Sequence, residues 1–204
     1  MSGSMDNFVD LAIWAAARHA SVIGVELAGS RARGTHDELS DWDFAVRTSD
    51  FDSVAGDLPA LVEPLEPLGA QWEPLGPFPV YALMLRGPTV VEYLFLEHSQ
   101  NARTPAKASK ESLPAIQAHF WAWIWWLATK ASVGREDLVE QHWPKLYRHL
   151  LEPMGASAVP DSVETAIRGF LACRGELERE YGLELSRALE SEVRGGIRRL
   201  GYNA

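Results

Sequence analysis

The sequence predicts an α+β fold, with a mixed helix-and-strand half followed by an all-helical half. Three observations predict it. Short β-branched and aromatic runs bounded by Gly, Pro and Asp recur as far as His98. A polar stretch from Ser99 to Ser109 then interrupts them and reads as a linker. Beyond Ser112 only helical periodicity remains. The expected domains are residues 5–98 and 112–204.

Met1-Ser2-Gly3-Ser4 ahead of Met5 reads as an added leader and is set aside. Asn7 to His19 carries Phe8, Leu11, Ile13, Trp14 and Ala15 along one helical stripe. Val22 to Ala28 is β-branched, ends at Gly29 and reads as a buried strand, and Trp42 to Arg47 reads as a second. Phe51 to Leu68 predicts a helix broken by Pro59 and ending before Gly69. Three prolines within 74–79 demand a loop. Val80 to Leu85 and Thr89 to Leu96 predict two strands joined through Arg86-Gly87-Pro88. The helical half predicts helices near 115–132, 136–151, 161–181 and 184–200. Asp161 with Glu164 suggests a capping box, and Gly182 a helix terminator.

Composition narrows the function. The chain has 204 residues, 47% hydrophobic and 23% charged, which is globular rather than disordered. Lys and Arg number 19 against 28 Asp and Glu, a formal charge of −9 that repels polyanions. A general nucleic-acid or anionic-membrane binder carries the opposite sign, so cationic small molecules are the easier partners. The single Cys173 cannot form an internal disulfide and fits a reducing compartment. The most apolar run, Phe120 to Ala128, is about half of the ~20 residues a membrane span needs. With no secretory signal in view, the expectation is a cytoplasmic protein.

The chemistry-bearing stretch is Leu27-Ala-Gly-Ser-Arg-Ala-Arg-Gly34, followed by Ser40-Asp-Trp-Asp-Phe-Ala-Val46. A strand runs into Gly29-Ser30, the chain turns, and a second strand starts with two acids one residue apart. Strand alternation sends Asp41 and Asp43 to the same face and Trp42 to the other, where core packing awaits it. Two carboxylates ~7 Å apart can share hard cations such as Mg2+. Gly29 lets backbone amides approach a phosphate, and the Ser30 hydroxyl adds a donor. Glu92 sits in Thr89-Val-Val-Glu-Tyr-Leu-Phe-Leu96, a strand apolar on both faces. An ionised Glu there is costly unless it meets a metal, a cation or donors; the alternative is a solvent-facing edge. Arg31 and Arg33 either neutralise phosphate charge or stay solvated. No zinc-type spacing and no Walker-type loop is present.

Gly29-Ser30, ten intervening residues, then Asp41-Trp42-Asp43-Phe44 resembles the signature of the DNA polymerase beta-like nucleotidyltransferase superfamily. The resemblance implies a palm-like mixed sheet with flanking helices, followed here by a C-terminal helical bundle. It also implies a nucleoside triphosphate bound with Mg2+, at a two-ion site completed by a third carboxylate on a later strand. Glu92 is the candidate, as metal ligand or as general base on the incoming hydroxyl. Within the superfamily the Gly-Ser-Arg-Ala-Arg-Gly and Ser-Asp-Trp-Asp-Phe blocks look like those of the antibiotic nucleotidyltransferases. So does an aromatic helix ending in lysine, His119 to Lys130. The likeness implies catalytic and metal roles for Asp41, Asp43 and Glu92, and nucleotide contacts for Gly29, Ser30, Arg33 and Lys130. It implies AMP transfer from ATP to a small-molecule hydroxyl acceptor of aminoglycoside type, with pyrophosphate released; a homodimer is compatible with it. Trp121, Trp123, Trp125 and Trp126 fall on more than one helical face and read as core between the halves, with base stacking the minority reading. Two rival readings remain. One is an antitoxin-like protein adenylyltransferase, some of whose helical partners carry an Arg-spacer-His motif loosely like Arg135 to His142. The other is a non-catalytic nucleotide-binding protein.

Overall fold

The structure is a computed structural model and describes residues 2–101 and 107–203, with side chains from residue 7 onward. Part of the expected linker, residues 102–106, lies outside the described residues. The chain divides into two compact units, 1–103 and 104–204.

The first unit runs α1 (Ser2–Ala17), β1 (Val22–Leu27), a one-turn α2 (Gly29–Ala32), β2 (Trp42–Thr48), α3 (Phe51–Leu61), β3 (Gly69–Trp72), β4 (Val80–Leu85) and β5 (Thr89–Leu94). The five strands form one mixed sheet in the order β1-β2-β5-β4-β3. Only β2 and β5 are parallel neighbours; the other pairs are antiparallel. One face is apolar because alternate residues of each strand converge on it. Phe44 and Val46 from β2, Tyr81 and Leu83 from β4, and Val91 and Tyr93 from β5 pack with Ala12 and Ala16 of α1 and Val54 and Leu58 of α3. Tyr93 is wholly buried, and its hydroxyl donates to the Ala12 carbonyl at 2.9 Å, pinning α1 to the central strand. Burial holds the Tyr93 phenol far above its ordinary titration range. Trp42 packs in this layer as its place between the acids requires, edge-on to Phe8 at 5.2 Å.

The outline predicted from sequence holds, with local corrections. α1 begins at Ser2, inside the segment read as an added leader. Pro59 does not break α3 but lies inside it on the exposed side, where water can take the Ala55 carbonyl that loses its donor. α3 ends instead at Leu61, with a single 3-10 turn, Glu63–Leu65, carrying the chain through Pro64. β3 follows, in a segment to which the sequence assigned no element. The proline-rich segment after it is fastened by Gln100, whose amide donates to the carbonyls of Glu73 (2.8 Å) and Gly76 (3.1 Å).

The second unit holds α4 (Leu113–Ser132), α5 (Glu136–Leu146), α6 (Val163–Tyr181) and α7 (Ala188–Arg199). α5 passes into a π-type turn over Tyr147–Leu151, and α7 starts four residues later than its periodicity suggests. The capping box of α6 is made by Ser162 and Thr165 rather than Asp161 and Glu164. Asp161 instead accepts from the Ser162 and Thr165 hydroxyls at 3.2 and 2.9 Å, and those two bonds hold its carboxyl below the usual range. Gly182 ends α6 at φ 60°, a left-handed conformation suited to glycine. Trp121 is fully buried and packs against Phe120 and Phe170, which stack on each other at 3.9 Å. No helix among the described residues is long and apolar enough to cross a membrane.

Candidate active site

The acids gather through strand register. β2 and β5 pair so that Asp43 lies directly beside Glu92. Paired residues on neighbouring strands project from one face, so both stand opposite the apolar layer. Asp41, two residues before Asp43, shares that side. Burial follows the alternation: Trp42, Phe44 and Val46 are buried, whereas Asp41, Asp43 and Ala45 are partly exposed.

Gly29 sits against this pair. Its φ of 61° is a left-handed conformation, and a Cβ placed there would collide with the carboxylate of Asp43. Glycine at 29 is therefore required twice, by its backbone angle and by the space Asp43 occupies. The Ala28 N–H donates to the Asp43 carbonyl at 2.7 Å and fixes the turn on β2. Ser30 follows in the first turn of α2, with its carbonyl accepting from the Thr35 N–H at 3.0 Å.

The connection between Ser30 and Asp41 is braced. Asp37 accepts from the Leu39 N–H (2.9 Å) and from the Ser40 hydroxyl (2.8 Å). Arg31 donates to the Ser40 carbonyl at 2.7 Å and to the Asp41 carbonyl at 3.1 Å, with its guanidinium 3.8 Å from the centre of the Trp42 ring. Sequence reasoning left Arg31 between phosphate contact and solvent; the structure uses it to hold the entry to β2. Desolvation lowers its pKa, and the charges of Asp41, Asp37 and Asp43 oppose that. Arg33 caps α2 and is exposed. Thus Gly29, Ser30, Asp41, Asp43 and Glu92 gather around the start of β2, in the interior of the sheet of the first unit. Lys130 belongs to the second unit, in the last turn of α4, with its ammonium 5.7 Å from the Trp126 ring.

The Glu92 carboxyl is pushed up to about 8, first by desolvation and then by the like charges of Asp41, Asp43 and Glu73. The ordinary value is 4.5, so between these limits the folded chain binds more protons than the unfolded chain. Stability therefore falls as pH rises through that window and levels off above it. Glu92→Gln should gain about 3 kcal/mol on the parent between pH 5 and pH 9 in urea unfolding with EDTA. A constant difference between the two proteins would show that Glu92 ionises freely.

The residues fit a hard divalent cation. Asp41 and Asp43 offer carboxylate oxygens, and a positive charge would relieve the crowding that raises Glu92. Among the described residues no three Asp, Glu, His or Cys side chains are already gathered into a cage. Mg2+ typically takes one or two carboxylates and completes its shell with phosphate oxygens and water.

Residues 13–97, spanning most of the first unit, match the nucleotidyltransferase domain family. No curated protein matches the chain in sequence. An aminoglycoside 6-adenyltransferase from Bacillus subtilis is similar at 11% identity, covering 94% of this chain and 96% of its own, with a TM-score of 0.35. The polymerase core of TRAMP, an RNA surveillance complex, is similar at 11% identity and a TM-score of 0.38, covering 88% of this chain and 58% of its own. The family match falls on the segments that carry Gly29, Asp43 and Glu92, and residues 13–97 form a polymerase beta-like nucleotidyltransferase domain.

Proposed function

We propose that the protein transfers AMP from ATP to a hydroxyl of a small cationic acceptor of aminoglycoside type, releasing pyrophosphate. The observation that carries this reading is the pairing of Asp43 with Glu92 on parallel neighbours, beside a glycine that leaves room for the Asp43 carboxylate. Asp41 and Asp43 are the residues that would hold Mg2+, with Glu92 third. Bound there, the ion supplies charge neutralisation for the triphosphate and for the entering and leaving oxygens.

The chain supplies the rest. Gly29 and Ser30 offer a close main-chain approach and a hydroxyl to the phosphates. Arg31 fixes the Ser40 and Asp41 carbonyls, so Asp41 is presented from a rigid entry to β2. Arg33, exposed at the end of α2, and Lys130 are assigned to the phosphates on family resemblance. Glu92 keeps its proton near neutral pH in the protein alone. Beside a cation held by Asp41 and Asp43 its affinity for that proton would drop, and Glu92 would then serve either as the third ligand or as the base for the attacking hydroxyl. The formal charge of −9 favours a cationic acceptor at encounter.

The test is a transfer assay with α-phosphate-labelled ATP, Mg2+ and pooled aminoglycosides and lincosamides. Label is expected in the small-molecule fraction. Label confined to protein would replace the proposed acceptor with a polypeptide, and absence of label in every fraction would remove the reading.

A further inference from the structure

The two aspartates at the start of β2 are held unequally. Asp43 lies inside the sheet, in register with Glu92 of β5, and its carbonyl accepts from the Ala28 N–H at 2.7 Å. Asp41 lies outside it: the β2–β5 register begins at Trp42 with Val91, and the β1–β2 register ends at Leu27 with Phe44. Among the described residues, therefore, no strand partner fixes the main chain at Asp41. Arg31 takes that place, its Nε donating to the Asp41 carbonyl at 3.1 Å and its Nη2 to the Ser40 carbonyl at 2.7 Å.

These two carbonyls belong to the peptide planes on either side of the Asp41 Cα. Peptide planes are rigid, so holding both sets φ and ψ of Asp41, and with them the direction of its Cα–Cβ bond. The guanidinium in turn rests on Trp42, whose ring centre lies 3.8 Å away. Trp42 is 9% exposed and packs edge-on against Phe8, so the support reaches from the apolar layer through Trp42 and Arg31 to Asp41. The charges of Asp41, Asp37 and Asp43 also act on Arg31, although burial is the larger influence and lowers its pKa. The hydrogen bonds of this arginine beside the acids go to main-chain carbonyls, so its work is positional.

A fixed carboxylate matters differently to different cations. Mg2+ demands near-octahedral oxygens at ~2.0–2.1 Å, whereas Ca2+ accepts oxygens at ~2.3–2.6 Å in a flexible shell. Loosening Asp41 removes the geometry that Mg2+ needs and leaves Ca2+ able to adapt. We infer that Arg31 is a positioning residue that sets the cation preference of this site, favouring Mg2+ over Ca2+ by fixing Asp41. This deepens the transfer reading and rests on its assignment of a divalent cation to Asp41 and Asp43.

Arg31→Met tests it, through cation binding to the full chain without nucleotide. Bound Mn2+ is followed by electron paramagnetic resonance and displaced with Mg2+ or with Ca2+. The ratio of Mg2+ to Ca2+ affinity should fall about tenfold, the lower end of what loss of a residue that orients a metal ligand typically costs. Arg33→Met removes the same charge two residues away. Mg2+ and Ca2+ carry equal charge and feel that loss equally, so its ratio should stay at the parental value. Arg31 is partly exposed, so Arg31→Met should fold, which urea unfolding verifies. Arg31→Gln, shorter and uncharged, is a second variant with the same expected fall. A parental ratio in the folded Arg31 variants would overturn the inference, even if they are less stable, and would make Arg31 a brace of the fold alone. An equal fall in Arg33→Met would overturn it too, by making charge the cause. Asp43→Asn should abolish Mn2+ binding. Binding that survives there, or none in the parent, would discard the metal assignment of the transfer reading and the inference with it.

Discussion

Asp43→Asn should lower nucleotidyl transfer by about a thousandfold or more while leaving the fold intact. Asparagine has the same shape as aspartate, so the change removes charge rather than volume. Metal-borne stabilisation of a transferring phosphoryl group is worth several kcal/mol, and each 1.36 kcal/mol is about tenfold in rate. The apoprotein should become more stable rather than less, because one of the like charges facing Glu92 is gone. Gly29→Ala should give a comparable loss without touching any reactive group. Its Cβ would occupy the place of the Asp43 carboxylate, and a left-handed alanine costs about 1–2 kcal/mol besides. Labelled-ATP assays across a Mg2+ titration, with urea unfolding alongside, separate the two variants. The first should be inactive and stabilised, the second inactive and destabilised. More than a tenth of parental activity in Asp43→Asn would remove Asp43 from the metal site.

The largest effect on stability is expected in the second unit, at Arg174. This arginine is 5% exposed on α6, and it donates to Glu190 of α7 at 2.5 Å and to Gln117 of α4 at 3.2 Å. Gln117 in turn donates to the Ser186 carbonyl at 2.9 Å. Arg187 donates to Glu178 at 2.7 Å, and Arg194 to Glu190 at 3.1 Å. Three helices and the segment before α7 therefore share one buried set of polar contacts. Arg174→Ala leaves the Glu190 Oε2 and the Gln117 Oε1 without their donor in a dry setting, with Arg194 still on the other Glu190 oxygen, and removal of one member of a buried ion pair typically costs about 3–5 kcal/mol. Urea unfolding checks this, and a loss under about 1 kcal/mol would place the cluster among ordinary surface pairs. Acid should weaken the cluster as well. Desolvation, the strongest influence on Glu178, would raise its pKa, yet the bond from Arg187 and the charges of Arg187 and Arg174 bring it below the ordinary value. Its contribution is present above the unfolded pKa and is lost as pH falls through the lowered one.

Much of this arrangement was legible in the sequence, because its signals are local. Strand alternation placed Asp41 and Asp43 on one face and Trp42 on the other, and the apolar surroundings of Glu92 marked it as costly. What escaped depends on partners distant in the chain. β3 is four residues long and opens with glycine, so no window shows its period; it is a strand because β4 pairs with it. The braces on the Ser30–Asp41 connection are tertiary in the same way: Arg31 looks like any charged loop residue until Trp42 lies beneath it. The cap at α6 was misread by one residue because Asp161 and Ser162 are both good N-cap residues, and only geometry decides which hydroxyl or carboxylate meets the Thr165 N–H.

The lone parallel contact in the sheet has a mechanical consequence. β1 with β2 forms one antiparallel ribbon, and β5-β4-β3 forms another. The β2–β5 seam joins them, and Asp43 and Glu92 face each other across it. A small change of twist between the ribbons thus alters the gap between these two carboxyl groups first. A ligand seated on either ribbon would therefore act on the spacing of these two carboxyl groups through the sheet itself.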